Sequence, residues 1–329
     1  MTCEPRAVGI AGTGSYVPPR VLTNLDLEKM VDTSDDWIRT RTGIRERRIA
    51  DPEVATSDLG EAAARAALES AGVGPADIDL VIVATVTPDT AFPSTASILQ
   101  QRLDIPRPTA FDLNVGCTGF VYGLAVAREM IATGAYQRAL IIGSETLSRI
   151  TDWNDRSTCV LFGDGSGAAV VSPVTEGGIL AYSLGNDGTN AEALKLRAGG
   201  SRMPTTPETV AGRLHYLTMN GPEVFKFAVR ALTDSCEEAV ARAGLSMSDM
   251  DVVIPHQANM RIIEAAVRRL NIPSERFICN LDRYGNTSAA SIPIALDETV
   301  REGRIKRGDH VLLSSFGAGL SWGSMVIRW

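Results

Sequence analysis

Cys117 combines a reactive side chain with a local sequence that could expose and activate it. It lies in a Gly-Cys-Thr-Gly run, after a predicted strand at 109–113 and before a predicted helix at 120–133. A thiol at the start of a helix faces the positive end of the helix dipole, which favours the thiolate. This pattern predicts a nucleophile that forms a covalent intermediate. A lone cysteine is also commonly a small buried apolar residue, and the segment alone leaves both interpretations open.

His256 and Asn286 are the other two candidates, because each can donate a hydrogen bond to a developing negative charge. His256 lies in a Pro-His-Gln-Ala-Asn run directly after a predicted strand. A neutral imidazole donates from one ring nitrogen. Asn286 lies in a Tyr-Gly-Asn-Thr-Ser run, and its amide donates without ever titrating. The alternatives are structural: a core histidine satisfied by its hydrogen bonds, and an asparagine that caps a helix.

Other chemistry-bearing residues have weaker signatures. The Gly-Asp-Gly-Ser-Gly run at 163–167 resembles a phosphate-binding loop, but no Gly-Lys-Ser/Thr follows it, so we predict a tight turn beside the site. His215 and His310 are interpreted as structural. The cysteines form no Cys-x-x-Cys pair, and the three histidines do not cluster, so no metal site is predicted. The cysteines predicted to be inert are Cys3, Cys159, Cys236 and Cys279.

Alternating buried strands and helices must position these residues. Short continuous apolar runs predict strands buried on both faces, at 80–86, 139–143 and 311–314. Helical stretches separate them, at 120–133 and 262–270, and a Gly-, Thr- and Pro-rich segment at 186–213 is predicted to be loop. This pattern predicts an α/β protein with helices covering its sheets. In such sheets, ligands gather at the carboxyl ends of the strands.

The chain also contains an internal repeat. The run AGVGPADIDLVIV at 71–83 matches AGLSMSDMDVVIP at 243–255 in six of thirteen positions, including both aspartates and the Val-Ile pair. Each copy is typical of a helix end, a turn and a buried strand. Two shorter matches follow in the same order: Gly-Cys-Thr at 116–118 with Gly-Asn-Thr at 285–287, and Phe-Gly-Asp-Gly at 162–165 with Phe-Gly-Ala-Gly at 316–319.

Duplication would bring the candidate residues together. Similar halves usually pack about a pseudo-two-fold axis, so that equivalent positions face each other. In this alignment Cys117 is the counterpart of Asn286, and His256 lies just past a strand end near the same axis. We therefore expect an N-terminal half at 1–175 that holds the nucleophile and a C-terminal half at 176–329 that holds the histidine and the asparagine.

The composition excludes several classes of protein. Of 329 residues, 44% are hydrophobic and 22% are charged, which is typical of a globular chain. The apolar runs are far shorter than the roughly 20 residues of a membrane helix, and the first residues lack the apolar core of a signal peptide. The net charge of −7 argues against nucleic acid as the main partner. We expect a cytoplasmic protein that does not bind membranes or nucleic acid.

The chain resembles the β-ketoacyl-acyl-carrier-protein synthase III family of the thiolase-like superfamily, nearly end to end. The order Cys117, His256, Asn286 is the triad of that family. Elongating synthases carry Cys-His-His instead, and biosynthetic thiolases carry a late second cysteine, whereas no cysteine follows Cys279 here. The other motifs of the resemblance are TSDDWIRTRTGIRER at 33–47, FGDG at 162–165, HQAN at 256–259, YGNTS at 284–288 and FGAGLSWG at 316–323.

The resemblance implies a thiolase-like fold with duplicated halves in five αβαβα layers, and a homodimer. It implies a decarboxylating condensation that starts fatty-acid synthesis, with acyl-CoA as a substrate, malonyl-acyl-carrier protein as the acceptor and no further cofactor. Cys117 would hold the acyl group, while His256 and Asn286 donate to the malonyl thioester carbonyl. The resemblance also implies that the backbone N–H groups of Cys117 and Ala318 bind the oxyanion. Coenzyme A would be bound by Trp37, Arg41 and Arg156, and the carrier protein would dock at Arg261. Phe316 and the partner's Phe92 would line the acyl pocket.

Some questions stay open at this level. Arg261 and Arg268 lie seven positions apart on a predicted helix and so share a face, which fits carrier-protein docking but also fits an ordinary solvated surface. An acyltransferase or ketosynthase of secondary metabolism with another acceptor has the same triad, and a non-catalytic partner subunit has the same fold. The acyl primer depends on the shape of a pocket, which one sequence does not give.

Overall fold

Two mixed β-sheets with helices on both faces make up the chain, whose computed structural model describes residues 6–329; Cys3 lies outside the described residues. The strands are β1 (Val8–Tyr16), β2 (Val21–Thr23), β3 (Glu46–Arg48), β4 (Leu80–Ala84), β5 (Thr109–Leu113), β6 (Ala139–Thr146), β7 (Asp164–Pro173), β8 (Gly178–Asn186), β9 (Leu194–Leu196), β10 (Leu217–Met219), β11 (Val252–Pro255), β12 (His310–Gly317) and β13 (Ser321–Arg328). The helices are α1 (Asn24–Leu27), α2 (Asp35–Thr42), α3 (Thr56–Ala71), α4 (Thr95–Arg102), α5 (Gly119–Ala132), α6 (Pro207–Ala211), α7 (Gly221–Arg242), α8 (Met260–Leu270), α9 (Leu281–Tyr284) and α10 (Ser291–Arg301).

The two large sheets repeat one strand order. The first is β1-β7-β6-β4-β5, in which β4 is parallel to β5 and β6, and β7 is antiparallel to both of its neighbours. The second is β8-β13-β12-β11, with β11 parallel to β12 and β13 antiparallel to both of its neighbours. The counterpart of β5 is reduced to a single parallel bridge between Val253 and Phe277. The repeated order confirms the predicted duplication.

Helices and sheets alternate in five layers. Helix α3 packs on the outer face of the first sheet, and α7 packs on the outer face of the second. Helices α5 and α10 lie between the sheets, where each contacts strands of both. Burying a Leu or Ile side chain stabilises a fold by about 1.5–3 kcal/mol. The central core that joins the layers includes Leu80, Ile82, Leu124, Val252, Ile254 and Leu296. The αβαβα expectation is therefore confirmed.

The starts of the two inner helices correct part of the repeat alignment. A 3-10 turn precedes each helix, Gly116–Thr118 before α5 and Ser288–Ala290 before α10. Each turn opens on a left-handed residue, with φ values of 57° and 50°. In this register the counterpart of Cys117 is Ala289, so the match with Asn286 was wrong. The two Gly-x-Thr runs were too short to fix a register that the helix starts define.

The Gly-rich run at 163–167 is mostly strand rather than the predicted tight turn. Strand β7 begins at Asp164, within this run. Phe162 lies just before it and forms a parallel bridge with Asn286, whereas Phe316 lies inside β12. The third sequence match therefore joined positions that are not equivalent. The run nevertheless lies beside the site, because the bridge ties it to Asn286.

The segment at 186–213 is more ordered than its composition predicts. It holds the end of β8, a 3-10 turn at Gly188–Ala193, strand β9 and helix α6. Thr206 caps α6, because its hydroxyl accepts a hydrogen bond from the backbone N–H of Thr209. Threonine and proline are common both in loops and at helix starts, so composition did not separate the two cases.

Within residues 6–329, every helix is too short or too polar to cross a bilayer. Strand β7 ends at Pro173 and β8, the first strand of the second sheet, begins at Gly178. The division between residues 175 and 176 stays a prediction, since the halves are joined by a shared inner layer.

Candidate active site

Cys117, His256 and Asn286 line one cavity of about 160 Å³, together with Phe316 and Ala318. Three different structural elements bring the first three residues there: the turn before α5, the end of β11 and the loop before α10. The rest of the wall is mainly apolar, and it includes Val86, Leu147, Leu194, Leu217, Met219 and Val224. Such a cavity offers a few polar groups inside an apolar enclosure, which is the usual composition of a small-molecule site.

The turn that carries Cys117 packs directly on the late Gly-rich loop. A Cβ atom at Gly116 would lie 3.0 Å from the backbone nitrogen of Ala318, and Gly116 has a φ of 57°. Any side chain there would therefore be both strained and crowded. The hydroxyl of Ser315 donates to the carbonyl of Cys117 at 2.8 Å, which pins the turn to β12. The backbones of Cys117 and Ala318 are thus held side by side at the cavity.

Burial raises the pKa of the Cys117 thiol to about 12, and the charge of Glu145 adds to the rise, while the Ser288 hydroxyl opposes it. This direction is opposite to the lowering that the helix start predicts. Cys117 lies in the 3-10 turn, ahead of the first residue of α5, and the surface that it exposes faces the enclosed cavity. Desolvation of the charged form outweighs the dipole at this position.

His256 follows β11 and is held in the core. Its backbone N–H donates to the carbonyl of Ser314 at 2.7 Å, and its ring lies edge-on to Phe316 with 5.3 Å between ring centroids. Burial lowers the pKa of His256 to about 3. The imidazole is therefore neutral over the whole range of ordinary working pH, as donation to a substrate requires.

Ser291 contacts one ring nitrogen of His256. Its Oγ lies 2.6 Å from Nδ1 of His256, and it also accepts the backbone N–H of Gln257 at 3.4 Å. We assign the hydroxyl proton to the bond with Nδ1, which leaves the ring proton on Nε2. The remaining ring nitrogen is therefore a hydrogen-bond donor.

Replacing Ser291 by alanine should mix the two tautomers and slow the step that uses the Nε2 proton. The loss of one hydrogen bond of about 1–1.5 kcal/mol corresponds to roughly a tenfold slower release of carbon dioxide from malonyl-acyl-carrier protein. Nitrogen-15 NMR of the His256 ring would report the tautomer directly. Ser235, a buried serine bonded to Ser324, provides the control variant Ser235→Ala. An unchanged ring spectrum and rate in Ser291→Ala would contradict the assignment.

Asn286 is fixed in one orientation by backbone groups. Its N–H donates to the carbonyl of Leu161 at 2.8 Å, and its carbonyl accepts from Gly163 at 3.0 Å. Its side-chain Oδ1 accepts the backbone N–H of Ser288 at 2.8 Å. Only the oxygen end of an amide can accept that proton, so the NH₂ end is left as a donor. Gly163 permits this approach, because a Cβ there would lie 2.3 Å from the carbonyl oxygen of Tyr284.

The three residues expected to bind coenzyme A form a cluster near the surface. The guanidinium of Arg156 lies 4.6 Å from the ring centroid of Trp37, and that of Arg41 lies 5.8 Å from the same ring. Trp37 packs against the hydrophobic cluster that contains Phe316. The cluster therefore combines an aromatic ring with two cations, each within 6 Å of its centroid.

The remaining predicted residues lie outside the cavity. Phe92 is 85% exposed, an uncommon position for a phenylalanine in a single chain. Arg261 and Arg268 are both exposed on α8, and neither forms an ion pair with any of the residues from 6 to 329. Arg261 stacks on Phe225 at 5.9 Å, and Phe225 belongs to the cavity wall. These positions agree with contacts to other molecules, but the roles stay predictions.

The sequence did not single out three polar residues that lie at the site. Ser288 and Ser291 follow Asn286 in the sequence, where they resemble the small residues that are common at helix starts. Glu145 is the last residue but one of β6 and is fully buried. A carboxylate in a strand whose other residues are uncharged was the one available signal. Across residues 6–329, no three His, Cys, Asp or Glu side chains come together as a metal site would require.

Family models match two parts of the chain. Residues 111–188 match 3-oxoacyl-[acyl-carrier-protein] synthase III, and residues 240–329 match the C-terminal part of the same family. The first range contains Cys117, and the second contains His256 and Asn286.

Full-length relatives agree with the family models. The chain is 58% identical over 328 residues to a β-ketoacyl-[acyl-carrier-protein] synthase III of Caldanaerobacter subterraneus, covering 99% of each chain. It is 46% identical to the crystal structure of 3-oxoacyl-[acyl-carrier-protein] synthase III from Aquifex aeolicus, with a TM-score of 0.91 and coverage of 98% and 100%. The priming β-ketosynthase of the R1128 polyketide pathway is also similar, at 37% identity and a TM-score of 0.93, with coverage of 99% and 97%.

Proposed function

The chain belongs to the 3-oxoacyl-[acyl-carrier-protein] synthase III family, and we propose that it does this family's chemistry with Cys117, His256 and Asn286. The family's reaction is an acyl transfer followed by a decarboxylating condensation of an acyl-CoA primer with malonyl-acyl-carrier protein, which initiates fatty-acid synthesis. The observation that carries the assignment of residues is the shared cavity, in which a thiol lies beside two fixed hydrogen-bond donors.

The first half-reaction is the transfer of the acyl group to Cys117. The sulfur attacks the thioester carbonyl of acyl-CoA, and the carbonyl oxygen becomes an oxyanion. The backbone N–H groups of Cys117 and Ala318 are proposed to stabilise it, which the contact between their two loops supports. Coenzyme A leaves, and the acyl chain lies against the apolar wall that includes Phe316.

The second half-reaction is the decarboxylation of the malonyl thioester. Loss of carbon dioxide leaves an enolate, whose oxygen accepts hydrogen bonds from Nε2–H of His256 and from the Asn286 amide. Both donors are neutral, so they stabilise the developing charge without giving up a proton. The enolate carbon then attacks the acyl-Cys117 carbonyl, which gives 3-ketoacyl-acyl-carrier protein and restores the thiol.

The Trp37 cluster is proposed to bind the coenzyme A part of the primer. An adenine ring stacks well between an aromatic face and a guanidinium, and Arg41 adds a charge for phosphate. Replacing Trp37 by alanine should therefore raise the KM for acyl-CoA by roughly tenfold, the value of about 1.4 kcal/mol of stacking. The rate of the later step with malonyl-acyl-carrier protein should be unchanged, and Trp153→Ala serves as a tryptophan control. A normal KM in Trp37→Ala would remove this residue from the coenzyme A site.

Two further assignments rest on surface residues. Arg261 and Arg268 are proposed to dock the acidic carrier protein, because both are exposed cations on one face of α8. Phe92 is proposed to enter the acyl pocket of a second copy in a homodimer, which its exposure supports. Acyl-CoA is a substrate rather than a cofactor in this scheme. The reaction is proposed to occur in the cytoplasm, where its substrates are made.

The alternative acceptor is a specific second candidate, because a polyketide priming ketosynthase shares the fold and 37% of the sequence. The triad residues do not distinguish the two pathways. Loading Cys117 with a panel of acyl-CoAs from acetyl to octanoyl, and then adding malonyl-acyl-carrier protein, decides between them. Formation of 3-ketoacyl product supports the proposed function, whereas a stable acyl-enzyme that ignores this acceptor contradicts it.

A further inference from the structure

Arg47 is a fully buried arginine in β3 that takes no part in the two half-reactions. Its guanidinium donates to three neutral oxygens: the carbonyl of Val160 at 2.7 Å, Oδ1 of Asn24 at 2.9 Å and the carbonyl of Leu22 at 3.2 Å. No carboxylate forms an ion pair with it in the part of the chain that the structure describes. A buried charge without a counterion is expensive for a fold, so an apolar side chain would fill this space at lower cost.

The segment that Arg47 holds is the one that pairs with Asn286. The residue after Val160 is Leu161, whose carbonyl accepts the backbone N–H of Asn286 at 2.8 Å. Two residues further on, Gly163 donates to the carbonyl of Asn286 at 3.0 Å. Both backbone groups of the asparagine are therefore bonded directly beyond the carbonyl that the guanidinium binds. A shift of this segment would move Asn286 with it.

The stem of Arg47 also packs beside the bridge that joins this segment to Asn286. A Cβ atom added at Gly163 would lie only 3.0 Å from the Cβ of Arg47. One added at Gly285, the residue before Asn286, would lie 3.4 Å from the same atom. The two glycines belong to the two segments that meet in the bridge. The stem therefore lies next to the backbone on both sides of the bridge, while the guanidinium holds Val160.

Asn24 fixes the direction of the guanidinium. This buried asparagine begins α1, and its Nδ2 donates to Oδ1 of Asp35 at 2.9 Å and to the carbonyl of Ile44 at 2.8 Å. A carbonyl can only accept, so the amide nitrogen must face Ile44 and the amide oxygen faces Arg47. Both of these bonds remain when Arg47 is replaced. Helix α2, which begins at Asp35 and carries Trp37, therefore keeps its anchor without the guanidinium.

We propose that Arg47 is a positioning residue for Asn286, and this inference rests on the proposed function. Its guanidinium ties Val160 to Asn24 and so fixes the segment whose backbone holds Asn286 at the cavity. The Asn286 amide must point at one oxygen of the malonyl thioester, and a displacement of about 1 Å can slow a reaction by roughly a hundredfold. An apolar side chain could fill the same volume, but it could not hold a carbonyl. The planar fork of a guanidinium bonds oxygens on two sides at once.

The test measures carbon dioxide release from malonyl-acyl-carrier protein and acylation of Cys117 by acyl-CoA on the same preparations. Arg47→Met should release carbon dioxide about tenfold more slowly, because the Asn286 amide is still present but is held less well. The KM for acyl-CoA and the rate of acylation should stay within about threefold of the wild-type values. Helix α2 keeps its anchor, and the Cys117 turn is held separately by Ser315.

A double variant separates positioning of Asn286 from a general loosening of the fold. Carbon dioxide release by Arg47→Met/Asn286→Ala should be no slower than release by Asn286→Ala alone. A residue that acts through the amide has no further effect once the amide is gone. A further loss of about tenfold in the double variant would mean that Arg47 acts independently, and it overturns the inference. A wild-type rate of release in Arg47→Met overturns it as well.

Arg102→Met provides the matched control. Arg102 bonds to Ser57, Asp58 and Glu61 of α3 and is not part of the cavity wall, so its loss should leave both rates unchanged. If Arg47→Met does not fold, Arg47→Lys decides by the same double variant, because an ammonium keeps the charge but lacks the planar fork. Failure of the wild-type chain to release carbon dioxide from malonyl-acyl-carrier protein overturns the proposed function, and this inference with it.

Discussion

Replacing Cys117 by alanine is expected to abolish covalent acylation of the chain by every acyl-CoA. The wild-type chain should gain the mass of one acyl group, and Cys117→Ala should gain none, because the intermediate is a thioester that only a sulfur can form. The measurement is intact-mass spectrometry after incubation with acyl-CoAs from acetyl to octanoyl, at pH 8. The same panel identifies the primer, since the acyl group that loads fastest is the one that fits the apolar wall of the cavity.

The other cysteines provide matched controls for this result. Cys159 and Cys236 are buried, and Cys279 is partly exposed but belongs to no part of the cavity wall. Cys279 is therefore not placed to attack an acyl group bound in the cavity. Cys279→Ala should acylate like the wild-type chain. An adduct that survives Cys117→Ala, or that maps to a peptide with Cys279, would place the nucleophile elsewhere.

The layers of the fold could be predicted from local patterns, whereas the exact pairing of the halves could not. Continuous apolar runs identified β4, β6 and β12, because a strand buried on both faces has no alternative composition. The repeat at 71–83 and 243–255 predicted the duplication that the two strand orders confirm. The predicted counterpart of Cys117 was wrong, because a match of three residues is too short to fix how the two halves align. Register came from the packing of α5 and α10 between the sheets, which is a tertiary property.

The side chains of the site were easier to predict than their protonation. Residue type and motif order identified Cys117, His256 and Asn286. The helix-start argument for Cys117 considers only the adjacent helix, whereas burial by the whole cavity wall raises the pKa of this thiol. Ser291 and Glu145 contact residues that are distant in the sequence. No spacing in the sequence relates Ser291 to the ring of His256 or Glu145 to the hydroxyl of Thr87.

His256 and Asn286 are expected to matter mainly for decarboxylation. Each supplies one hydrogen bond to the enolate oxygen, and loss of one such donor commonly slows a reaction by about 10²–10³-fold. His256→Ala and Asn286→Ala should therefore each lower the release of carbon dioxide from malonyl-acyl-carrier protein by about that factor. Acylation of Cys117 should fall by less than about tenfold, because that oxyanion is assigned to backbone N–H groups. The measurements are radiolabelled carbon dioxide release and acyl-enzyme mass, made on the same preparations.

The pH dependence of the same step gives an independent check on His256. Burial lowers the pKa of His256 to about 3, so the imidazole stays neutral from pH 5 to 9. The rate of decarboxylation should therefore show no inflection near pH 6.5, which is the usual pKa of histidine. His310→Ala, which alters a histidine at the start of β12, should leave the rate unchanged.

Two donors on one oxygen act as a unit, so the double variant should be only slightly slower than the slower single variant. Independent losses that multiply would mean that His256 and Asn286 act on different atoms. A His256 variant that acylates slowly yet releases carbon dioxide normally would instead make His256 the base of the first half-reaction.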